Sequence, residues 1–590
     1  MNDVSFWGGV TLLLTDQQVD RFSFGERLKK DNIPTLLGND GQYYFSTLSE
    51  SYLTDYNNET IPFIKRQQKI LLQTSWLAAL LILLIACINY VNLNFSRLLE
   101  QIKFIKIQRL LGASSFRVGL HLFIDTLCTI LIAFLLSLLI IHDLIPVFNS
   151  IVSGRLNTAF FLSEQILPLL LLSLVLFAVV VALTMSYRLI KLPIQTSRQQ
   201  DSFIKKQKTI RVLSIIQNIV SLGLIIATLT VNKQLNLIKK GGDNYKQVYE
   251  TGSYQSNKEK IKLFAEKIKE LPEIESVTTS NSSILFSQIR QLVIKDEQGE
   301  ENFASILEYK VSPDFNKTLS LGITRGLPPD QAKRTYARPV YVNQAFIDLL
   351  VPKDTNPIGQ PLVAFDTDFK EQGNTEEAST TNISTIVGIL ENLHTNSIEN
   401  HVLPQAFHID EKAYSYVQYR FNTVSPSVIN KVEKIFNEIS SDEPFSYNEI
   451  FQQYMERNKK VIEFSNLLSM YALISLFLTA FGLFGTAYYT TIRRTKEIGI
   501  RQINGATNTQ IFILLNKRFI KWIGIAIVLT IPPMWIILQS WLQHFAYRIT
   551  ITPDIFIVSG LIVSVITLVT VGWHSYRITA RSPVKSLKSE

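Results

Sequence analysis

Hydrophobic and polar residues segregate along this chain at two scales. Seven apolar runs, near 72–95, 119–141, 165–187, 212–232, 464–489, 519–540 and 555–575, each approach or exceed the roughly 20 residues that cross a hydrocarbon core. The long interval 233–460 is polar and mixed, with shorter periods. IKLFAEKIKEL (261–271) has helical spacing, and SVTTS (276–280) behind it reads as a strand. RPVYVNQAFIDLLV (338–351) predicts a strand running into a helix capped by Asn343. ISTIVGIL (383–390) is a β-rich run, and VSPSVINKVEKIFNEI (424–439) predicts another helix. A stiff helix is expected over 448–489, and the acidic, Thr-rich piece 366–382 reads as a solvated loop. The pattern predicts a polytopic α-helical membrane protein with an α+β domain outside the membrane.

Charge orients the runs. The formal net charge is +9, but only 18% of the 590 residues are charged and the basic ones sit beside apolar runs. That placement obeys the positive-inside rule and argues against a nucleic-acid partner. Most loop Lys and Arg lie in 96–118, 188–211, 490–518 and 576–590, whereas 142–164 and 541–554 hold one Arg each, Arg155 and Arg548. The first group is therefore expected in the cytoplasm, with 1–70 and 233–460 outside. MNDVSFWGGV lacks the charged and apolar regions of a signal peptide, so the outside placement of 1–70 calls for a further membrane segment before it. Cys87 and Cys128 both fall within apolar runs, where buried thiols are expected and a disulfide framework is not.

The chain repeats itself. A shift of 393 residues lays Lys103 on Lys496, Ile105 on Ile498, Ile107 on Ile500, Gly112 on Gly505 and Ala113 on Ala506. Each half reads as an outer domain, a helix in, a basic box, a helix out, a short outer loop, a helix in and a basic tail with a proline. The helix at 212–232 opens the second half, and its counterpart is expected before residue 1.

In the second box, RRTKEIGIRQINGA (493–506), Ile498 and the pair Ile500/Ile503 offer apolar contacts while Arg493, Arg494, Lys496 and Arg501 stay polar. A short helix at the membrane surface accommodates this pattern. Gly505 suits the left-handed position that ends such a helix, and Thr507-Asn-Thr-Gln510 is a capping-box pattern for the outgoing one. The first box carries a stripe of Leu98, Ile102 and Ile105 and another of Lys103, Lys106 and Arg109. Each box thus reads as an elbow presenting charge to the cytoplasm; snorkelling positives that merely set topology fit the same residues.

RRTKEIGIRQINGAT strongly resembles the signature of the FtsX/MacB-like permeases of bacterial ABC transporters. LLSMYALISLFLTAFGLFG, WLQHFAYRI and ARSPVKSLKSE resemble further parts of that family, in the right order. VYVNQAF, NPIG and TIVGILENLHTNSIENHVLPQAF resemble its MacB-type periplasmic core, and LSIIQNIVSLGLIIATLTVNKQL the helix opening a second half. The resemblance implies a remnant of a first extracytoplasmic domain at 1–70, a first FtsX-like domain at 71–200, and a cytoplasmic linker with a membrane helix at 201–232. It further implies a periplasmic core at 233–460 and a second FtsX-like domain at 461–590. It implies the bacterial inner membrane, a cytoplasmic C-terminus, contacts with membrane lipids, and a separate ABC ATPase subunit docked at the boxes. A periplasmic or outer-membrane partner is also compatible with it. By position, Glu497, Gly499, Arg501 and Gly505 match the family pattern, with Arg493, Arg494 and Lys496 beside them and Lys103, Lys106 and Gly112 in the first copy. That copy departs from the pattern, with Phe104, Lys106 and Gln108 where the second has Glu497, Gly499 and Arg501.

The chemistry absent from the sequence agrees. No G-x-x-x-x-G-K-[ST], H-E-x-x-H or G-x-S-x-G occurs, so no cofactor and no catalysis are expected of this chain. His401 and His408 are weak metal candidates. Asp125, near the cytoplasmic end of its helix, reads as an interface or snorkelling residue rather than part of an ion path. Three roles follow for such a permease: export of a peptide, lipid or antibiotic, removal and sensing of antimicrobial peptides, or control of a cell-wall hydrolase. The duplicated halves and large outer domain argue against the last. A membrane-anchored scaffold uncoupled from ATP is the rival of a different class.

Overall fold

The computed structural model describes residues 69–152, 156–190, 208–252, 258–286, 288–295, 301–351, 355–364, 382–398, 400–412, 415–441, 443–493 and 495–579. The remnant at 1–70, all but its last two residues, and the predicted loop at 366–382, all but its last residue, lie outside them. Each of the seven apolar runs forms a helix: α1 (Lys69–Leu110), α2 (Ser115–Val152), α3 (Ile166–Ile190), α4 (Lys208–Gly241), α8 (Lys459–Arg493), α10 (Asn508–Leu542) and α11 (Pro553–Thr579). Six of them are long and apolar enough to cross a membrane; for α3 the described apolar part is shorter, Ile166–Val181. Leu80, Leu135, Leu139, Leu172, Ile536 and Val569 stand exposed on these helices. In water such a belt would be costly, but a bilayer requires it. Cys128 belongs to the same exposed surface and Cys87 is half-buried, so the thiols are free but not both buried as expected.

The chain divides into two units. The first holds 1–228, 463–532 and 556–590. Its helices meet along a polar, small-residue seam, as expected where lipid removes the hydrophobic incentive for helix association. Ser221 Oγ on α4 lies 2.7 Å from Ser475 Oγ and 2.6 Å from Thr479 Oγ1 on α8. Thr228 Oγ1 donates to Leu468 O at 3.0 Å, and Gln217 Nε2 to Leu478 O at 3.4 Å. Asn89 on α1 donates to the same Leu478 carbonyl and lies against the bare face of Gly482. Asn89 and Gly482 are equivalent under the 393-residue shift, so α1 and α8 cross at their repeat-related positions. Beside the seam Leu483, Ala487, Phe519, Trp522 and Val571 form an apolar cluster that joins α8, α10 and α11.

The second unit holds 229–462 and 533–555. Eleven strands of one mixed sheet are described: β1 (Val248–Gly252), β2 (Ile274–Ser280), β3 (Gln288–Lys295), β4 (Glu301–Val311), β5 (Ile323–Gly326), β6 (Pro339–Asn343), β7 (Pro361–Ala364), β8 (Asn382–Leu390), β9 (Gln405–Ile409), β10 (Tyr416–Phe421) and β11 (Asn448–Glu449). Their order is β11-β1-β10-β2-β4-β9-β6-β8-β5, with β3 on β4 and β7 on β8. Most pairs are antiparallel; β4–β9 and β6–β8 are parallel. Helices α5 (Lys258–Lys269) and α6 (Pro426–Ile439) cover one end of the sheet, where Phe264 meets Phe436 edge-on at 5.3 Å above Val277, Val417 and Tyr419. A second core, under the helix Gln344–Leu350, gathers Val340, Val342, Phe346 and Ile386. Asn343 caps that helix, accepting from Phe346 N at 2.9 Å.

Polar groups inside this unit are bonded rather than excluded. Glu250 accepts from Ile284 N at 3.1 Å and Gln418 Nε2 at 2.9 Å. Burial nevertheless pushes its carboxyl above the ordinary range, since those bonds only partly replace lost hydration. The end of α4 is tied to the sheet's loops by Tyr454, which donates to Ile238 O at 3.2 Å, and by Tyr245, which donates to His394 O at 2.7 Å. The predicted helix 448–489 is interrupted. After β11 a short α7 (Ile450–Arg457) stops at Asn458, whose Oδ1 accepts from Ile398 N at 3.2 Å, and α8 starts anew at Lys459. A side chain that satisfies a loop amide competes with helix continuation, which periodicity cannot reveal.

Candidate functional site

The second box folds as an elbow between α8 and α10. Its centre is α9 (Thr495–Ile503), and Gly505 follows at φ +91°. Ala506 N donates to Arg501 O at 2.9 Å and Gly505 N to Gln502 O at 3.1 Å, the paired bonds of a Schellman stop. Thr507 then opens α10 with the expected reciprocal cap: Gln510 N donates to Thr507 Oγ1 at 3.3 Å, and Thr507 N to Gln510 Oε1 at 3.0 Å. One chain stop and one start, two residues apart, leave the turn little freedom.

Ile498 anchors α9. It is buried against Ile511, Leu515 and Ala506, so the elbow is packed on the first turns of α10. Gly499 is buried next to it. Ile500 and Ile503, expected to supply apolar contacts, instead stand 49% and 61% exposed. On the same helix Glu497 Oε1 and Arg501 Nη2 pair at 2.9 Å, one turn apart and open to solvent. Arg493 ends α8 and Lys496 lies within α9, while Arg494 lies outside the described residues. The structure thus brings Glu497 and Arg501 together and sets Gly505 as the hinge of the turn. The exposed isoleucines were legible as apolar, but only packing shows which of the three faces inward.

The first box is built differently upstream but turns on an equivalent glycine downstream. Lys103 and Lys106 belong to α1, which runs unbroken through the box to Leu110, so no separate short helix like α9 forms there. Gly112 nevertheless takes φ +91°, Ala113 N donates to Gln108 O at 2.9 Å, and Ser114 Oγ caps α2 by accepting from Arg117 N at 3.3 Å. Ile107, the counterpart of Ile500, is likewise exposed, at 54%. Two separated stretches have therefore kept one turn geometry.

Comparison with known families decides what these halves are. The model of the FtsX-like permease C-terminal domain matches residues 76–194 and again 469–583. The chain carries two FtsX-like permease domains. Both matches include one elbow and the helices on either side, within the two permease segments expected at 71–200 and 461–590. No curated protein matches the chain. Among solved structures, it is similar to a domain of a protein named as a permease from Porphyromonas gingivalis, at 14% identity over 35% of this chain and 89% of that one. The TM-score is 0.23, which supports no further argument. The chain is accordingly a multi-pass helical membrane protein with an α+β domain. Among its described residues no group of three metal-ligating side chains occurs; His408 instead lies 3.2 Å from Ser384 Oγ and 3.3 Å from Glu308. Asp125 is exposed on α2.

Proposed function

We propose that this permease is the membrane subunit of an ABC transporter in the bacterial inner membrane, with 233–460 extracytoplasmic and the C-terminus cytoplasmic. Its second elbow docks on a separate cytoplasmic ATPase, and nucleotide-driven motion of that partner is passed outward as mechanical work for export. The observation that supports this most directly is the surface of α9: two exposed isoleucines beside an exposed carboxylate–guanidinium pair, on a helix fixed by Ile498 and by caps at its end. A rigid knob of mixed chemistry suits a partner's groove better than open water. Helices α8 and α10 leave that knob directly, so displacing α9 displaces their ends. The first elbow lacks the acid–base pair, and its share in coupling is accordingly smaller.

Co-expression with an ATPase encoded beside the permease tests this reading. The pair is expected to co-purify, and the permease to stimulate ATP turnover. Exposed pairs of this kind contribute only about 0.3–0.5 kcal/mol to stability. Glu497→Lys with Arg501→Asp, or Ile503→Asp, should therefore abolish stimulation while leaving the melting temperature unchanged. A permease that neither binds nor stimulates the ATPase, or variants that stimulate as the parent does, would leave the uncoupled scaffold as the better account.

A further inference from the structure

Where β11 leads into α7, the edge of the sheet opens into a cavity of about 580 Å³. Glu449, at the end of β11 and the N-cap of α7, lines it together with Gln453 and Glu456 from α7. The rings of Tyr249, Tyr447 and Phe286 complete the wall, and Phe286 is 64% exposed. Large rings left open at a concave surface are the usual means of gripping the body of a small ligand.

The cavity carries a net negative charge, with two carboxylates, Glu449 and Glu456, against the one guanidinium of Arg457. Arg457 reaches the wall, but its guanidinium is committed: Nη1 donates to Thr395 O at 2.9 Å and Asn396 Oδ1 at 3.1 Å, and Nη2 to Leu285 O at 2.7 Å. Its Cζ sits over the Phe286 ring, 4.4 Å from the centroid. Glu449 and Glu456 form no ion pair among the described residues. Gln453 Oε1 is buried and accepts no hydrogen bond there. The field of Glu449 reaches the aromatic wall: burial first, and then that carboxylate, holds the Tyr249 hydroxyl above its ordinary range.

We propose that this cavity binds a small organic cation with an aromatic body. Its ammonium is held by Glu449 and Glu456, while its ring packs on Phe286 and Tyr447. The cation is favoured by carboxylates and by the negative faces of the rings at once. A neutral molecule gains only the packing, and an anion is repelled. This binding needs no ATPase, so it stands or falls separately from coupling at the elbows.

The full chain in phosphatidylcholine nanodiscs is titrated with phenethylammonium, and with 2-phenylethanol as the uncharged analogue of the same shape. Calorimetry should show saturable binding of the amine, with the alcohol about tenfold weaker or worse. Glu449→Gln with Glu456→Gln should weaken the amine by about tenfold and leave the alcohol unaffected. Tyr447→Phe, which keeps the ring, should bind as the parent does, and Phe286→Ala should not. Glu456→Gln alone, on an exposed helix face, carries the test if the double variant melts early. Absence of saturable amine binding, equal affinity for the alcohol, or full affinity in the glutamine variants would overturn the assignment.

Discussion

Replacing Gly505 with alanine loads the second elbow with backbone strain and little else. At φ +91° the glycine occupies the left-handed region, and a Cβ built there meets nothing within 4 Å. No clash contributes, so the cost is the intrinsic one of an L-residue in that region, about 1–2 kcal/mol. The strain acts on two bonds, Ala506 N to Arg501 O at 2.9 Å and Gly505 N to Gln502 O at 3.1 Å. Weakening a local closing equilibrium by that amount raises its open fraction roughly 5- to 30-fold. Hydrogen exchange followed by mass spectrometry over 495–510 reads this directly. Exchange should accelerate by that factor at the turn and stay unchanged in α10 beyond Leu515. Gly505→Asn, whose side chain tolerates the left-handed region, should fall between parent and alanine. Gly112→Ala should reproduce the effect in the first elbow, where the space around the glycine is equally open. Parent-like exchange in Gly505→Ala, or acceleration spread along both flanking helices, would refute the reasoning.

Two further substitutions probe the remaining structure. At Gly482 a Cβ would run into the Asn89 amide, so Gly482→Leu should separate α1 from α8 and lower the melting temperature of solubilised protein, at a cost of about 1–3 kcal/mol; Gly524→Ala, with nothing within 4 Å, is the control and should be neutral or slightly stabilising. Glu250, whose carboxyl is raised by burial, favours the folded outer domain fully below its unfolded value near 4.5 and progressively less as pH rises through its folded value. Exchange protection of β10 should therefore decline over that interval, and Glu250→Gln should flatten the decline; a parallel decline in the variant would assign it to other groups.

What was legible in the sequence was whatever neighbours along the chain decide. Apolar runs became helices because a bilayer allows the backbone few other ways to satisfy its hydrogen bonds. The stop at Gly505, the start at Thr507 and the cap at Asn343 depend on side-chain chemistry within four residues, so reading them needed no fold. The duplication was likewise visible, because equivalent turns require equivalent glycines. Sequence alone could not decide which members of an apolar set face a neighbour. Ile498 is buried while Ile500 and Ile503 are exposed, a choice set by where α10 lies. Nor could it show that Asn458 would interrupt a run of helical periodicity by satisfying the amide of Ile398, sixty residues away. The sheet order, with β4 beside β9 and β10 beside β2, joins strands about a hundred or more residues apart. Their pairing rests on the summed burial of both cores, a quantity that no local pattern contains. The crossing of α1 and α8 at Asn89 and Gly482 is of the same kind. Each residue is ordinary in its own helix, and only the three-dimensional contact makes the missing side chain of one the space for the other.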